Sequence, residues 1–202
     1  MNAEIAHTVS EEDQLRAGMY RFLAGLLRTE PGEELIASTA ELSGDDTPIG
    51  KACATLSYLA GEMDLATIRA EYVSLFIGVG RGELLPYCSY YLTGFLNEKP
   101  LANLRADMAR IGIARADGVK EPEDHIASLC DMMAGLIIGE FGEPASISEQ
   151  AEFFNTHIAP WGELFFADLE VAKTAVFYAP VGSMGRIFLD IESQAFDMSG
   201  SE

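Results

Sequence analysis

Apolar residues in this chain recur at steps of three and four, and that rhythm restricts its fold more than any other feature. Ile126, Leu129, Cys130, Met133 and Ile137 keep the spacing that puts side chains on one face of an α-helix. Leu15, Met19, Phe22, Leu23 and Leu26 do the same behind Ser10-Glu11-Glu12-Asp13, a serine followed three residues later by an acid, as in a capping box. The spacing returns with Ile49, Cys53, Leu56 and Leu59, then with Leu65, Ile68, Tyr72, Leu75 and Phe76, and again with Leu101, Leu104, Met108 and Ile111. Thr29-Glu30-Pro31 opens a short helix through Leu35 and Ile36. After Gly142-Glu143-Pro144 the chain runs through Phe153, Phe154, Trp161, Phe165, Leu169, Phe177 and Tyr178; Pro180 breaks that run, and Met184, Ile187, Phe188 and Ile191 carry a last helix. No segment alternates with a period of two and β-branched enrichment, so the expectation is an all-α fold.

Two stretches depart from the rhythm. One lies near residues 78–89, where Gly78, Gly80, Gly82 and Pro86 stop the helical pattern. The other is a polar loop near residues 113–121, with Asp117 and Gly118. A length of 202 residues suits one domain with a substantial core, and residues 1–202 are read as a single helical domain with these two interruptions.

Charge then narrows the partners. Lysine and arginine number 13 against 32 acids, a formal net charge of −19, which repels phosphate backbones and anionic lipid surfaces and draws in cations. Cys53, Cys88 and Cys130 are far apart and in no CxxC spacing, as expected of reduced thiols and not of a disulfide framework or a structural zinc site. Met1 to Ser10 has no basic residue ahead of an apolar run, unlike a secretory signal, and the run Met132 to Gly139 is far shorter than the ~20 residues of a membrane helix. A cytoplasmic protein is expected.

The chemistry concentrates in Glu121-Pro122-Glu123-Asp124-His125, three carboxylates and one of the chain's 3 histidines at what reads as the first turn of a helix. Proline is tolerated there, and acids are favoured by the helix dipole. The segment is therefore either a well-made helix start or a receptor for something positive. Three adjacent carboxylates repel one another unless cations sit among them, and a guanidinium bonds carboxylates in pairs. A metal-dependent helical hydrolase using His125, His157 and nearby acids is the competing reading, although Glu121 and His125 are separated by Pro122 and do not share a helical face. His7 lies in the N-terminal tail. No phosphate-cradling GxxxxGK[ST] loop or GxSxG elbow is present, and no Cys–His pair is close in sequence. The glycine-proline interruption offers a second clue. Tyr72, Leu75 and Phe76 precede it and Leu84, Leu85, Pro86, Tyr87, Tyr90 and Tyr91 follow, residues suited either to the core or to the wall of a peptide groove.

Three blocks together resemble the TorD/DmsD family of chaperones for molybdenum-containing redox enzymes. They are Glu71-Tyr72-Val73-Ser74-Leu75-Phe76-Ile77-Gly78 with Leu85-Pro86-Tyr87-Cys88-Ser89-Tyr90-Tyr91; the segment Glu121 to His125; and Gln150 through Phe153-Phe154, His157, Pro160-Trp161 and Phe177-Tyr178 to Phe188-Leu189. The resemblance implies a helical bundle of that family's type and a non-catalytic role with no cofactor of its own. Such proteins bind the twin-arginine signal peptide of a molybdopterin-containing oxidoreductase, in some cases also its apo-form, and hold it back from export until the cofactor is inserted. Carried onto this chain, the signal-peptide surface comprises Tyr72, Leu75, Phe76, Pro86, Tyr87, Ser89, Glu121, Glu123, Asp124 and His125, with His157 and Trp161 in packing roles. Position 72 is tyrosine where some relatives carry tryptophan, and Tyr87-Cys88 replaces a more usual Trp-Gly pair, differences that bear on which peptide is preferred. A monomer or homodimer is compatible with the family.

Overall fold

The computed structural model describes residues 9–115 and 121–199. Among them lie ten α-helices, α1 (Glu11–Arg28), α2 (Glu33–Ala40), α3 (Pro48–Glu62), α4 (Leu65–Tyr72), α5 (Cys88–Thr93), α6 (Lys99–Arg110), α7 (Ile126–Ile138), α8 (Ile147–His157), α9 (Gly162–Glu170) and α10 (Tyr178–Ser199). No β-strand occurs among the described residues; one isolated antiparallel bridge joins Tyr87 to His125. The fold is all-α. The tail with His7 and the Asp117-Gly118 part of the polar loop lie outside the described residues.

Local chemistry sets half of the helix starts. The Ser10 hydroxyl accepts the Asp13 N–H at 3.0 Å, and Thr47 accepts Gly50 N–H at 3.1 Å ahead of Pro48, whose missing N–H has no role in a first turn. Ser146 and Glu149 form a reciprocal capping box on α8. Helix α10 is started from a distance. The buried Glu71 carboxylate of α4 accepts the N–H groups of Val176 (2.8 Å), Phe177 (3.0 Å) and Tyr178 (2.8 Å), satisfying donors that a helix start leaves open.

Helix α7 is buried on nearly every side and packs against α1 and α8, while α10 packs against α9, α3 and α8. The core between them holds Tyr20, Leu23, Leu27, Met133, Phe154, Trp161, Phe165, Phe166 and Tyr178. Gly182 lets α9 approach closely, since a Cβ there would stand 2.4 Å from the Glu170 backbone nitrogen. One ionic group is enclosed where α1 meets α10. Arg16 donates to both oxygens of the buried Glu192 (2.7 and 2.9 Å), and Tyr20 O–H donates to the same carboxylate at 3.1 Å.

Several details differ from the sequence reading. Helix α7 begins at Ile126 with His125 as its N-cap, so Glu121 to Asp124 precede the helix instead of forming its first turn. The cause is tertiary: residues 124–126 pair with 86–88, which holds the backbone extended up to the cap. Pro180 sits in the first turn of α10, where it removes no helical hydrogen bond, and does not break the chain. The short second helix begins at Glu33, and Leu15 faces away from the core, 71% exposed, because the buried stripe of α1 runs through Ala17, Tyr20, Leu23, Ala24 and Leu27.

Candidate functional site

The two irregular segments singled out in the sequence meet. Cys88 N–H donates to Asp124 O (3.0 Å) and Ile126 N–H donates to Pro86 O (2.9 Å), which fastens the end of the glycine-proline interruption to the acidic corner. At this seam lies a cleft of about 460 Å³ lined by Tyr72, Phe76, Ile77, Pro86, Tyr87, Glu121 and His125, together with Arg28, Thr29 and Glu30 from the end of α1 and the turn after it.

One wall comes from α4, which runs into a π-helical turn, Val73–Ile77, closed by Gly78 N–H donating to Val73 O at 2.7 Å. Single π turns inside helices often mark functional sites. The turn ends because Gly78 takes φ 60°, a conformation that glycine adopts without a Cβ penalty. Phe76 packs on Tyr72 (ring centroids 5.0 Å apart) and Tyr178 (5.6 Å), and Ile77 stands 52% exposed beside them. Tyr72 is buried and donates its hydroxyl to Leu27 O at 3.3 Å. Burial, then the charges of Glu121 and Glu30, push the Tyr72 phenol up to about 12.

The opposite wall is Tyr87 over His125, rings 5.1 Å apart and nearly perpendicular. Nδ1 of His125 accepts the Ala127 N–H at 3.1 Å, which leaves the ring proton on Nε2. Burial, assisted by the nearby Arg28 charge, lowers the His125 pKa to about 3, so the imidazole is neutral at physiological pH. Its Nε2 has no hydrogen-bond partner among the described residues.

The acidic corner is divided in its duties. Glu123 is buried and accepts two hydrogen bonds from Arg105 (3.0 and 2.8 Å), with Arg115 3.7 Å away. Burial works to raise its pKa, but the Arg105 hydrogen bonds and the two guanidinium charges outweigh it and hold the carboxyl below its ordinary range. Asp124 is buried and accepts Ser89 N–H at 2.8 Å, steadying the start of α5. Ser89 Oγ and Asp124 Oδ1 are buried without a partner among the described residues. Glu121 alone of the three is exposed; it accepts the Tyr87 hydroxyl, and partial burial raises its pKa.

The structure therefore gathers Tyr72, Phe76, Pro86, Tyr87, Glu121 and His125 around one cleft, sets Leu75, Ser89 and Asp124 behind its walls, and leaves Glu123 lining the adjoining cavity. Sequence reasoning missed Arg28 and Glu30, which reach the cleft from the end of α1, and Arg105 and Arg115, which neutralise Glu123. Arg115, shortly before the acidic segment, was the available signal; Arg105 lies on α6 and reaches Glu123 only through the fold. Arg28 is occupied: it donates to Asp131 and, at 3.3 Å, to Ala127 O. A wider cavity of about 630 Å³ continues past Arg28 and Glu121 toward Met108, Ile113, Met132 and Phe141. His157 lines a different cavity, bonded to Asp107 at 3.0 Å, with Trp161 Nε1–H donating to its carbonyl at 2.9 Å. No group of three or more His, Cys, Asp or Glu placed to hold a metal is present among the described residues.

These features define an all-helical protein with an acidic, aromatic-walled cleft where two irregular segments join. Residues 42–167 match the family model described as the nitrate reductase delta subunit. The chain belongs to that family, the TorD/DmsD family of its sequence blocks. It is 28% identical over 204 residues to the chaperone protein TorD of Aliivibrio fischeri, covering 89% of this chain and 94% of that one. It is 31% identical over 135 residues to the chaperone protein TorD of Vibrio atlanticus, a match spanning 63% of either chain. A solved structure from Archaeoglobus fulgidus, assigned as a redox enzyme maturation protein, shares the fold with a TM-score of 0.55 at 18% identity, over 94% of this chain and 99% of that one. No helix among the described residues is long and apolar enough to cross a membrane.

Proposed function

We propose that this protein is a molybdoenzyme maturation chaperone whose cleft binds the twin-arginine signal peptide of a molybdopterin-containing oxidoreductase in the cytoplasm. By holding the leader, and in the same complex the apo-enzyme, it keeps the client from export until the cofactor is inserted. It does so by recognition, with no chemical step of its own. The relatives named as chaperones support the class. The observation that carries the reading is the cleft itself, where an exposed carboxylate and a neutral, buried histidine border an aromatic and aliphatic wall. A guanidinium suits the acidic end, and the apolar residues after the arginines suit Phe76, Ile77 and Pro86. Leu75, Ser89, Glu123 and Asp124 serve this surface by fixing its walls. The hydrolase reading needs His125 and His157 at one centre; they line separate cavities, and no observation favours it.

Titration calorimetry with a synthetic twin-arginine leader tests the proposal. Binding is expected to weaken at least tenfold when both arginines are replaced by alanine, and to weaken as salt rises. Equal binding of the alanine peptide would overturn it.

A further inference from the structure

We propose that Glu30, in the turn between α1 and α2, is the second carboxylate of the cleft and, together with Glu121, sets its preference for arginine. The inference rests on the leader-binding reading above and deepens it. Of the acids in and around the corner, Glu123 is saturated by Arg105 and Asp124 is turned inward onto Ser89. That leaves Glu121 and Glu30 as the carboxylates lining the cleft. Both are exposed, and neither makes an ion pair among the described residues. They belong to one cavity with Tyr72, and the charges of both bear on its phenol.

Glu30 is not on a loose tail. Pro31 behind it is buried, and Arg69 of α4 donates from Nε to the Pro31 carbonyl at 2.9 Å, so the turn is fixed to the helix that supplies the aromatic wall. A group held on a fixed turn loses little freedom on binding. A second feature points to a ligand there. His125 lines the same cleft, only 5% exposed, with Nδ1 committed to Ala127; the proton is on Nε2, and that N–H has no partner among the described residues. A cation between two walls, with a polar or carbonyl group accepting from Nε2, would complete the site. A planar guanidinium has donors on more than one edge and bridges two carboxylates from opposite sides, which a lysine ammonium does less well.

The test is calorimetric titration of a twin-arginine leader peptide, and of the same peptide with lysines, into the wild-type chain, Glu30→Gln, Glu121→Gln and Glu33→Gln. Glu33 is exposed in the first turn of α2 but outside the cleft, and its variant controls for the general field of an acidic protein. Glu30→Gln is expected to weaken the arginine peptide about tenfold, as losing one charge-assisted hydrogen-bonded contact does, and to flatten the preference for arginine over lysine. Glu33→Gln is expected to stay within about twofold. If Glu30→Gln behaves like Glu33→Gln while Glu121→Gln still weakens binding, Glu30 has no such role although the cleft reading stands. If the wild-type chain binds neither peptide, the cleft reading falls and this assignment with it.

Discussion

Tyr87 and His125 are paired twice: their backbones form the isolated antiparallel bridge, and their rings meet edge to face with centroids 5.1 Å apart. The second contact helps keep the imidazole dry, and that dryness holds it neutral. Tyr87→Ala is expected to admit water and move the His125 pKa up toward the ordinary value, read by nitrogen-detected NMR titration of the ring. Tyr87→Phe keeps the ring and loses only the hydroxyl bond to Glu121, so His125 should titrate as in the wild type while leader affinity falls a fewfold. A His125 titration unchanged in Tyr87→Ala would mean that other neighbours do the shielding.

Glu71 ties α4, at the head of the cleft wall, to the chain entering α10 through three backbone donors. Glu71→Ala leaves those donors without acceptors in a buried place, at a cost of about 3 kcal/mol. For a chain of this size that corresponds to a loss of roughly 6–12 °C in Tm. Glu71→Gln keeps one accepting oxygen and should lose about half as much. Thermal unfolding followed by circular dichroism gives both numbers, and a Glu71→Ala variant as stable as the wild type would show that the donors find other acceptors.

Glu123 belongs to the same five-residue segment as Glu121 but spends its charge internally on Arg105. Glu123→Gln is therefore expected to loosen the corner by about 1 kcal/mol, since its arginine partners are half exposed and screened by solvent. Leader affinity should change less than in Glu121→Gln. Urea unfolding and peptide titration on the same two variants separate the roles. A larger affinity loss in Glu123→Gln would place the contact at the wrong carboxylate.

How far such roles could be read in advance depended on the range of the interactions. Helical spacing located α1, α3, α6 and α7 because a period of 3.6 is written in neighbouring residues. The start of α7 was misplaced because its cause is not local: only the pairing of Pro86 and Cys88 with Ile126 and Asp124 keeps Glu121 to Asp124 out of the helix. Tyr72, Phe76, Tyr87 and His125 stood out as aromatic and titratable residues around breaks in the rhythm. Which carboxylate faces the cleft did not, because Glu121, Glu123 and Asp124 are chemically alike and differ only in what packs against them. Glu30 read as a helix start, and nothing in its neighbours announces the cleft across from it. Arg105 and Glu123 come from segments that meet only through the fold.

His125 also gives stability a defined pH dependence. Its folded pKa, lowered to about 3, lies below the ordinary histidine value, so between the two the unfolded chain binds a proton that the folded chain refuses. Its contribution is complete above about pH 6.5 and is lost as pH falls from there toward about 3. From pH 7 to pH 4.5 this one group should remove about 2–3 kcal/mol. Carboxylates held ionised in the fold, Glu123 among them, act in the same direction at the lower end, so the wild-type curve alone does not isolate the histidine. His125→Asn does, because asparagine caps a helix as well and does not titrate. Urea unfolding at pH 7 and pH 4.5 is expected to show a smaller loss in the variant than in the wild type, by about that amount. Equal losses in the two proteins would mean that His125 takes up its proton in the folded cleft, where a charged imidazole would repel a guanidinium.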